Sequence, residues 1–256
     1  MVTTGQMTGL IMAILLPILA GAIPYYLFWK RSSKIETGMM GAVAYGILGY
    51  FWEEIIYSFL GLVALTKMTG LLNATGGNAI FVAIVEALVS SIFVALGLYW
   101  GIYLTNTKQR SLYRSATVGI GFGIGYTLLS YGFQLYYAIQ INRGTFTGTE
   151  GAKTSILAKS PASFYVASYR NILMVIIFMG VALLAGKYHL EKKRLLAWLV
   201  PMVVYIFVRF TDVMLNTYLS QAVASTIMCV ILTVLAAACL WLVQGWLRTG
   251  EIFYRK

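Results

Sequence analysis

Seven long apolar blocks, each of more than twenty residues, constrain this chain more than any other feature of its sequence. They cover residues 7–29, 39–66, 79–104, 116–139, 164–186, 195–218 and 222–247. A helix needs about 20 mostly apolar residues to cross the hydrocarbon core of a bilayer. The alternating pattern of an outer-membrane barrel is absent. We therefore predict an all-α, polytopic integral membrane bundle of about seven transmembrane helices, with residues 1–256 forming a single transmembrane domain.

The composition excludes a soluble protein and a nucleic-acid-binding one. Hydrophobic residues make up 60% of the chain and charged residues only 11%, whereas soluble domains are about half apolar and a quarter charged. The net charge of +11 comes from short basic clusters between the apolar blocks, and such clusters are topology signals. The expected partner is therefore the lipid bilayer, with no nucleic acid.

The basic residues also predict how the chain is oriented. Thirteen Lys and Arg residues follow the first, third, fifth and seventh blocks, whereas four lie in the alternate loops. Because cytoplasmic loops are enriched in Lys and Arg, we predict an outside N-terminus and a cytoplasmic C-terminus. Residues 140–163 then form an extracytoplasmic loop, read as a flexible connector, with a lid or a partner-docking loop as the alternative. The expected location is the cell membrane, specifically a bacterial cytoplasmic membrane.

Six charged residues fall inside the apolar blocks, where a charge facing lipid costs about 2.5–3.5 kcal/mol. Each is expected to face the bundle interior, a partner or water. They are Glu53, Glu54, Glu86, Arg170, Arg209 and Asp212.

The spacing of these residues suggests different roles. Arg209 and Asp212 are three residues apart on one helix face, which predicts an intramembrane ion pair. Glu53 and Glu54 are adjacent near the middle of the second block. They are candidates for a proton carrier, a general base or a metal ligand, or else are neutralised by protonation or paired with an intramembrane arginine. Glu86 either faces a substrate or partner or lies near the outer interface.

The fourth block opens with four alternating glycines in the run GIGFGIGY. On a helix, Gly119 pairs with Gly123 and Gly121 with Gly125, which makes two small-xxx-small motifs for close helix packing. The alternative is a glycine wall that, with the adjacent Tyr126, faces a substrate or partner. A phosphate-binding loop is excluded because no Lys-Ser/Thr follows the run.

These features, taken in order, resemble the YhfC-type intramembrane peptidases, distant relatives of the CAAX-protease and bacteriocin-processing membrane proteins. The resemblance implies a catalytic Glu on the second helix, matched by Glu53, with a His shortly after it. Tyr57 stands at that position here. It also implies a His and a Glu on the glycine-rich helix, where this chain carries Phe122 and Tyr126.

Further positions depart from the family pattern. The resemblance implies a Glu-Glu pair and an Arg on the third helix, where Val94, Ala95 and Leu98 stand, and a late His or Asn on the sixth, which has no clear match. The single histidine, His189, lies in the basic cluster KYHLEKKR. Zinc requires several N or S ligands, so no metal and no cofactor is expected.

The main hypothesis is a catalytically degenerate protein of the peptidase-like fold that binds a membrane-embedded partner, peptide or lipid. The first alternative is an active glutamate-type peptidase in which Glu53 and Glu54 are catalytic. The second is a small-molecule or proton-coupled permease that uses the same carboxylates. Hydrolysis would need a base together with a metal or an oxyanion stabiliser, and the residues expected by resemblance to supply them are replaced.

Overall fold

The fold is described by a computed structural model, which covers residues 1–31, 38–61, 79–106 and 112–249. These residues form eight α-helices and no β-strand, which confirms the all-α prediction. A single π-helical turn, Tyr57–Gly61, continues the second helix. The helices are α1 (Thr4–Arg31), α2 (Gly38–Ile56), α3 (Ala79–Asn106), α4 (Leu112–Arg143), α5 (Glu150–Ala158), α6 (Pro161–Leu190), α7 (Arg194–Tyr218) and α8 (Gln221–Thr249).

Five of these helices, α1, α3, α6, α7 and α8, are long and apolar enough to cross a membrane. The chain is therefore a membrane-embedded helical protein, as predicted. The spans predicted in α2 and α4 are not among the five. Helix α2 has 19 residues and includes Glu53 and Glu54, and α4 carries many polar side chains, with its first half buried among other helices. The end of the predicted second span, from residue 62, lies outside the described residues.

The seven long helices alternate in direction along the chain. Helices α1, α3, α6 and α8 run one way, and α2, α4 and α7 run the other. Three helix pairs run parallel, because contacts at two levels advance along both helices in the same direction. For α1 and α6 these contacts are Gly9 with Phe164 and Gly21 with Val175, and for α2 and α4 they are Val43 with Gly121 and Ile47 with Gly125. For α6 and α8 they are Tyr169 with Thr233 and Gly180 with Cys239.

This arrangement gathers most basic residues of the described helix ends and loops at one end of the bundle. That end carries Lys30, Arg114, Lys187, Lys192, Lys193 and Arg194. The opposite end, where α4 finishes and α6 begins, carries Arg143, Lys153 and Lys159. The two ends are called the basic end and the loop end below.

The alternating glycines place α4 between two neighbouring helices. Residues two apart on a helix point about 200° away from each other, so the two glycine pairs lie on opposite faces. Gly121 contacts the backbone of Val43 in α2, and Gly119 contacts the backbone of Phe178 in α6, so closely that a Cβ on either glycine would overlap it. Helices α2 and α6 therefore approach α4 backbone to backbone from opposite sides.

The structure differs from the predicted flexible connector at residues 140–163. Helix α4 extends to Arg143, and α5 occupies Glu150–Ala158, where the Thr149 side chain caps its N-terminus. The Gln6 amide of α1 donates to the Lys159 carbonyl at 2.6 Å. Hydrogen bonds between buried polar groups hold backbone that is not paired within a helix. The loop end is consequently a folded cap held to the N-terminus of α1.

Candidate functional site

A cavity of about 140 Å³ lies between α4, α6, α7 and α8. Arg170, on its wall, is nine residues from the start of α6, so it lies roughly 14 Å along that helix at 1.5 Å per residue. Since α6 has 30 residues, Arg170 lies in its first third, nearer the loop end than the basic end. Seven polar residues line the cavity: Tyr126, Tyr131, Arg170, Asn171, Tyr205, Arg209 and Asp212.

Four charged side chains form a continuous network beside the cavity. Arg209 Nη2 donates to Glu86 Oε1 of α3 at 2.5 Å, and Arg170 Nη2 of α6 donates to Asp212 Oδ1 at 2.8 Å. Arg209 Nη1 lies 3.8 Å from Asp212 Oδ2, which joins the two pairs into one chain. The network links α3, α7 and α6, and its formal charge is zero.

The structure thus gives Arg209 and Asp212 closer partners than each other. The sequence predicted one ion pair between these two residues of α7, and their charged atoms do approach to 3.8 Å. Each has its shorter contact with a different helix, Arg209 with Glu86 and Asp212 with Arg170. Glu86, which the sequence left between two alternatives, is half-buried in this network and does not line the cavity.

The ion pairs orient the side chains more than they stabilise the fold. The side chains of Arg170 and Arg209 keep 30% and 39% of their surface exposed, so neither is a fully buried ion. Exposed ion pairs contribute about 0–1 kcal/mol, whereas the removal of one partner from a fully buried pair costs about 3–5 kcal/mol. A half-buried network lies between these limits. Its main consequence is that both guanidinium groups are held in place at the cavity wall.

Hydrogen-bond donors outnumber acceptors at this wall. A guanidinium carries five N–H donors. Within the described part of the chain, Arg170 and Arg209 each donate one hydrogen bond to a carboxylate. The hydroxyls of Tyr126, Tyr131 and Tyr205 make no hydrogen bond to any described residue. The cavity therefore presents several unused donors to a bound group.

Glu53 and Glu54 lie away from the cavity and differ from each other. Glu53 is only 4% exposed. It packs so closely against Gly97 of α3 that a Cβ added to Gly97 would lie 2.7 Å from the Cβ of Glu53. Its Oε2 atom is buried and accepts no hydrogen bond from the described residues. Glu54 is half-buried. Neither carboxylate forms an ion pair with an arginine of the described chain.

An aromatic cluster occupies the space between Glu53 and the cavity. The Phe122 ring packs edge-on against Tyr50 and Phe178, with centroid distances of 5.1 Å and 5.0 Å. Phe178 in turn stacks on Tyr205 of the cavity wall, and Tyr50 packs edge-on against Tyr126. Phe122 and Tyr126 are the positions where the resemblance implies a His and a Glu, and here both pack with other aromatic rings.

Of the residues proposed to face a substrate or partner, Tyr126 lines the cavity. Gly119, Gly121, Gly123 and Gly125 do not, because each contacts a neighbouring helix closely. In the described ranges, no group of three or more His, Cys, Asp or Glu residues lies close enough together to hold a metal ion.

The sequence analysis missed Tyr131 and Tyr205 as residues of the site. A signal was present for one of them. Tyr205, Val208, Arg209 and Asp212 occupy positions i, i+3, i+4 and i+7, which share one helix face. No comparable pattern marks Tyr131, which is five residues from Tyr126.

No protein-family model, curated protein or solved structure matches the chain. The resemblance to YhfC-type peptidases therefore stays a prediction, and the function must be argued from the cavity itself.

Proposed function

We propose that this chain is a seven-span membrane protein that binds the polar end of a membrane-embedded lipid in the cavity between α4, α6, α7 and α8, without peptidase chemistry. The observation that carries the proposal is the cavity itself. It combines charged and phenolic side chains with an apolar wall of Met174, Met228 and Leu232, between four helices. Intramembrane ionisable residues mark functional sites by default because their burial is costly.

The helix directions support seven spans. Alternation of seven long helices leaves the two termini at opposite ends of the bundle. The basic end, which by the positive-inside rule is cytoplasmic, is where α8 finishes. The N-terminus is then outside, in a cell membrane that we take to be bacterial and cytoplasmic. Helices α2 and α4 complete the set of seven: α2 is short but apolar, and neighbouring helices cover much of α4, whose hydropathy is lower.

The size of the cavity limits what it binds. Pockets for drug-sized ligands are commonly about 300–1,000 Å³, whereas a cavity of about 150 Å³ holds a molecule such as benzene. At about 140 Å³, this cavity accommodates one small group rather than a whole ligand. A lipid headgroup, with its acyl chains outside in the bilayer, fits this restriction. One side chain of a transmembrane peptide also fits by volume and is a competing outcome of the test.

The position of the carboxylates favours binding over hydrolysis. A general base must come within hydrogen-bond reach of the group it deprotonates, directly or through one water. Glu53 is covered by α3 and separated from the cavity by aromatic rings. A peptidase or permease built on Glu53 would need a pathway to this residue other than the cavity.

Filling the cavity provides the test. Met228 is buried at the cavity wall, whereas Val230, two residues further along α8, is 60% exposed. We expect Met228→Trp to abolish the lipid that co-purifies with the protein, measured by mass spectrometry, while the control Val230→Trp retains it. Met228→Phe, a smaller change, should reduce occupancy if the tryptophan variant does not fold.

Two results would contradict this proposal. One is that folded Met228→Trp retains as much lipid as wild type, or that a transmembrane peptide displaces the bound lipid whichever lipid is present. The other is cleavage of a membrane peptide, or pH-dependent solute flux, that is lost in Glu53→Gln or Glu54→Gln. That second result would establish the peptidase or the permease instead.

A further inference from the structure

We propose that the headgroup bound in this cavity is small and anionic, a carboxylate or an unsubstituted phosphate. This inference rests on the proposed lipid-binding function and adds the chemistry of the ligand. It follows from the donors, the charge and the size of the cavity, each of which excludes a different class of headgroup.

The charge of the cavity wall favours an anion. Of the four networked charges, Arg170, Arg209 and Asp212 line the cavity, whereas Glu86 does not. The wall therefore carries a formal charge of +1, although the network as a whole is neutral. A cationic headgroup would meet two guanidinium groups and only one carboxylate, which is already bound by Arg170. An anionic headgroup would meet two guanidinium groups, each paired with one carboxylate, and only one of those carboxylates lines the cavity.

The donors complement oxygen atoms of an anion. Two guanidinium groups from different helices reach the cavity together with the phenols of Tyr126, Tyr131 and Tyr205. Arginine presents a planar set of N–H donors that matches carboxylate and phosphate oxygens, often through two parallel hydrogen bonds. A buried anion is costly unless hydrogen-bonded, and here its oxygens would replace water with these donors.

The donors are also held in place before any ligand binds. Glu86 holds one side of the Arg209 guanidinium, and Asp212 holds one side of Arg170. Each arginine thus has a fixed position with other N–H groups left over. Restricting side chains in advance reduces the entropy lost on binding, so a preorganised site binds more tightly than a flexible one.

The remaining wall limits the size of the headgroup. Met174, Val208, Met228 and Leu232 supply no hydrogen bonds for the hydroxyls of a glycerol or sugar headgroup, and the Asn171 amide already donates to the Ala13 carbonyl of α1. A cavity of about 140 Å³ also has no room for those groups beside a phosphate. Phosphatidic acid and free fatty acids are the membrane lipids with small anionic headgroups of this kind.

The experiment measures lipid binding to the full chain by native mass spectrometry from detergent. The probes are phosphatidic acid, oleic acid, phosphatidylcholine and inorganic phosphate. We expect phosphatidic acid or oleic acid to bind at least tenfold more tightly than phosphatidylcholine. Inorganic phosphate at millimolar concentration should not displace the bound lipid.

Two variants test the named donors without leaving a charge unpaired. The double variant Glu86→Gln with Arg209→Gln removes one guanidinium together with its partner and lowers the formal charge of the wall to zero. Hydrogen bonds to charged groups are worth about 1.5–3 kcal/mol, so we expect affinity for the anionic lipid to fall about tenfold or more. Tyr126→Phe with Tyr205→Phe should give a similar loss, whereas Tyr165→Phe, at an exposed residue of α6, should give none.

The outcomes separate this inference from the proposed function. Equal binding of phosphatidic acid and phosphatidylcholine, unaffected by the double variants but abolished by Met228→Trp, would overturn the anionic headgroup and leave lipid binding intact. Displacement by inorganic phosphate alone would show that the site takes a free anion. Retention of every lipid by folded Met228→Trp would overturn both.

Discussion

Helix α4 faces two regions of opposite character. In its first half, Gly119, Gly121 and Gly123 let α2 and α6 approach so closely that no space remains. Further along the same helix, Tyr126 and Tyr131 face a cavity bounded by α6, α7 and α8. Where the side chains of α4 change from glycine to tyrosine, closely packed helices give way to helices that enclose a cavity.

The comparison shows two ways to associate helices in lipid. Hydrophobic burial does not drive helices together there, so close backbone contact and polar side chains provide the attraction. At the glycine interface, the attraction comes from backbone contact, which leaves no room for a ligand. At the cavity, α3, α6 and α7 are joined by the long side chains of Glu86, Arg170, Arg209 and Asp212, which span a gap. A site can form only in the second kind of interface.

The largest effect is expected at the packed interface. Gly121→Leu would place a side chain into the backbone of Val43, so α2 and α4 could not keep their contact. We expect loss of monodisperse protein on size-exclusion chromatography. Gly132→Leu, on the same helix with open space around it, is the matched control and should purify normally. Normal folding of Gly121→Leu would show that this interface is not tightly packed.

A smaller effect is expected when the charged network is broken. Asp212→Ala removes the partner of Arg170 and leaves that half-buried guanidinium without its carboxylate. Since the Arg170 side chain is 30% exposed, we expect the free energy of unfolding to fall by about 1–3 kcal/mol, seen as a lower thermal unfolding midpoint in detergent. The double variant Arg170→Gln with Asp212→Asn should recover most of this loss. A double variant as unstable as Asp212→Ala would argue against the pair.

A still smaller effect is expected at Glu53. Its buried Oε2 accepts no hydrogen bond from the described residues, so Glu53→Gln loses no ion pair and keeps nearly the same shape. We expect the thermal unfolding midpoint to change by an amount equivalent to less than about 1 kcal/mol. Glu53→Leu serves as the comparison for loss of the polar group. A large destabilisation by Glu53→Gln would show that the charged carboxylate has a partner.

The smallest effect concerns Lys159, between α5 and α6 at the loop end. Burial lowers the pKa of its ammonium group, which donates to Gln134 Oε1 at 3.1 Å and lies over the Phe164 ring. A lowered folded-state pKa means that the unfolded chain binds the proton more readily, so stability should rise as pH increases between the folded and unfolded values. Between pH 8 and pH 10, we expect the unfolding midpoint of wild type to rise relative to that of Lys159→Met, which lacks this group.

Local spacing predicted some of these features well. The period of four within GIGFGIGY is a property of adjacent turns, so close packing on both sides of α4 could be read from the sequence. The i, i+3 spacing of Arg209 and Asp212 placed them on one face for the same reason. Their nearest partners could not be read in this way, because Glu86 and Arg170 are 123 and 42 residues distant in the chain.

The sequence by itself determined that this chain is a helical membrane protein. Its long apolar blocks place the backbone in lipid, where the backbone N–H and C=O groups can form hydrogen bonds only with one another. It also determined which few residues would be expensive to bury. Only the tertiary structure decided how those residues are used: two arginines are paired across helices and turned toward a cavity, while Glu53 is covered. Ion pairs between helices depend on which helix faces meet, and that choice is made by packing of the whole bundle.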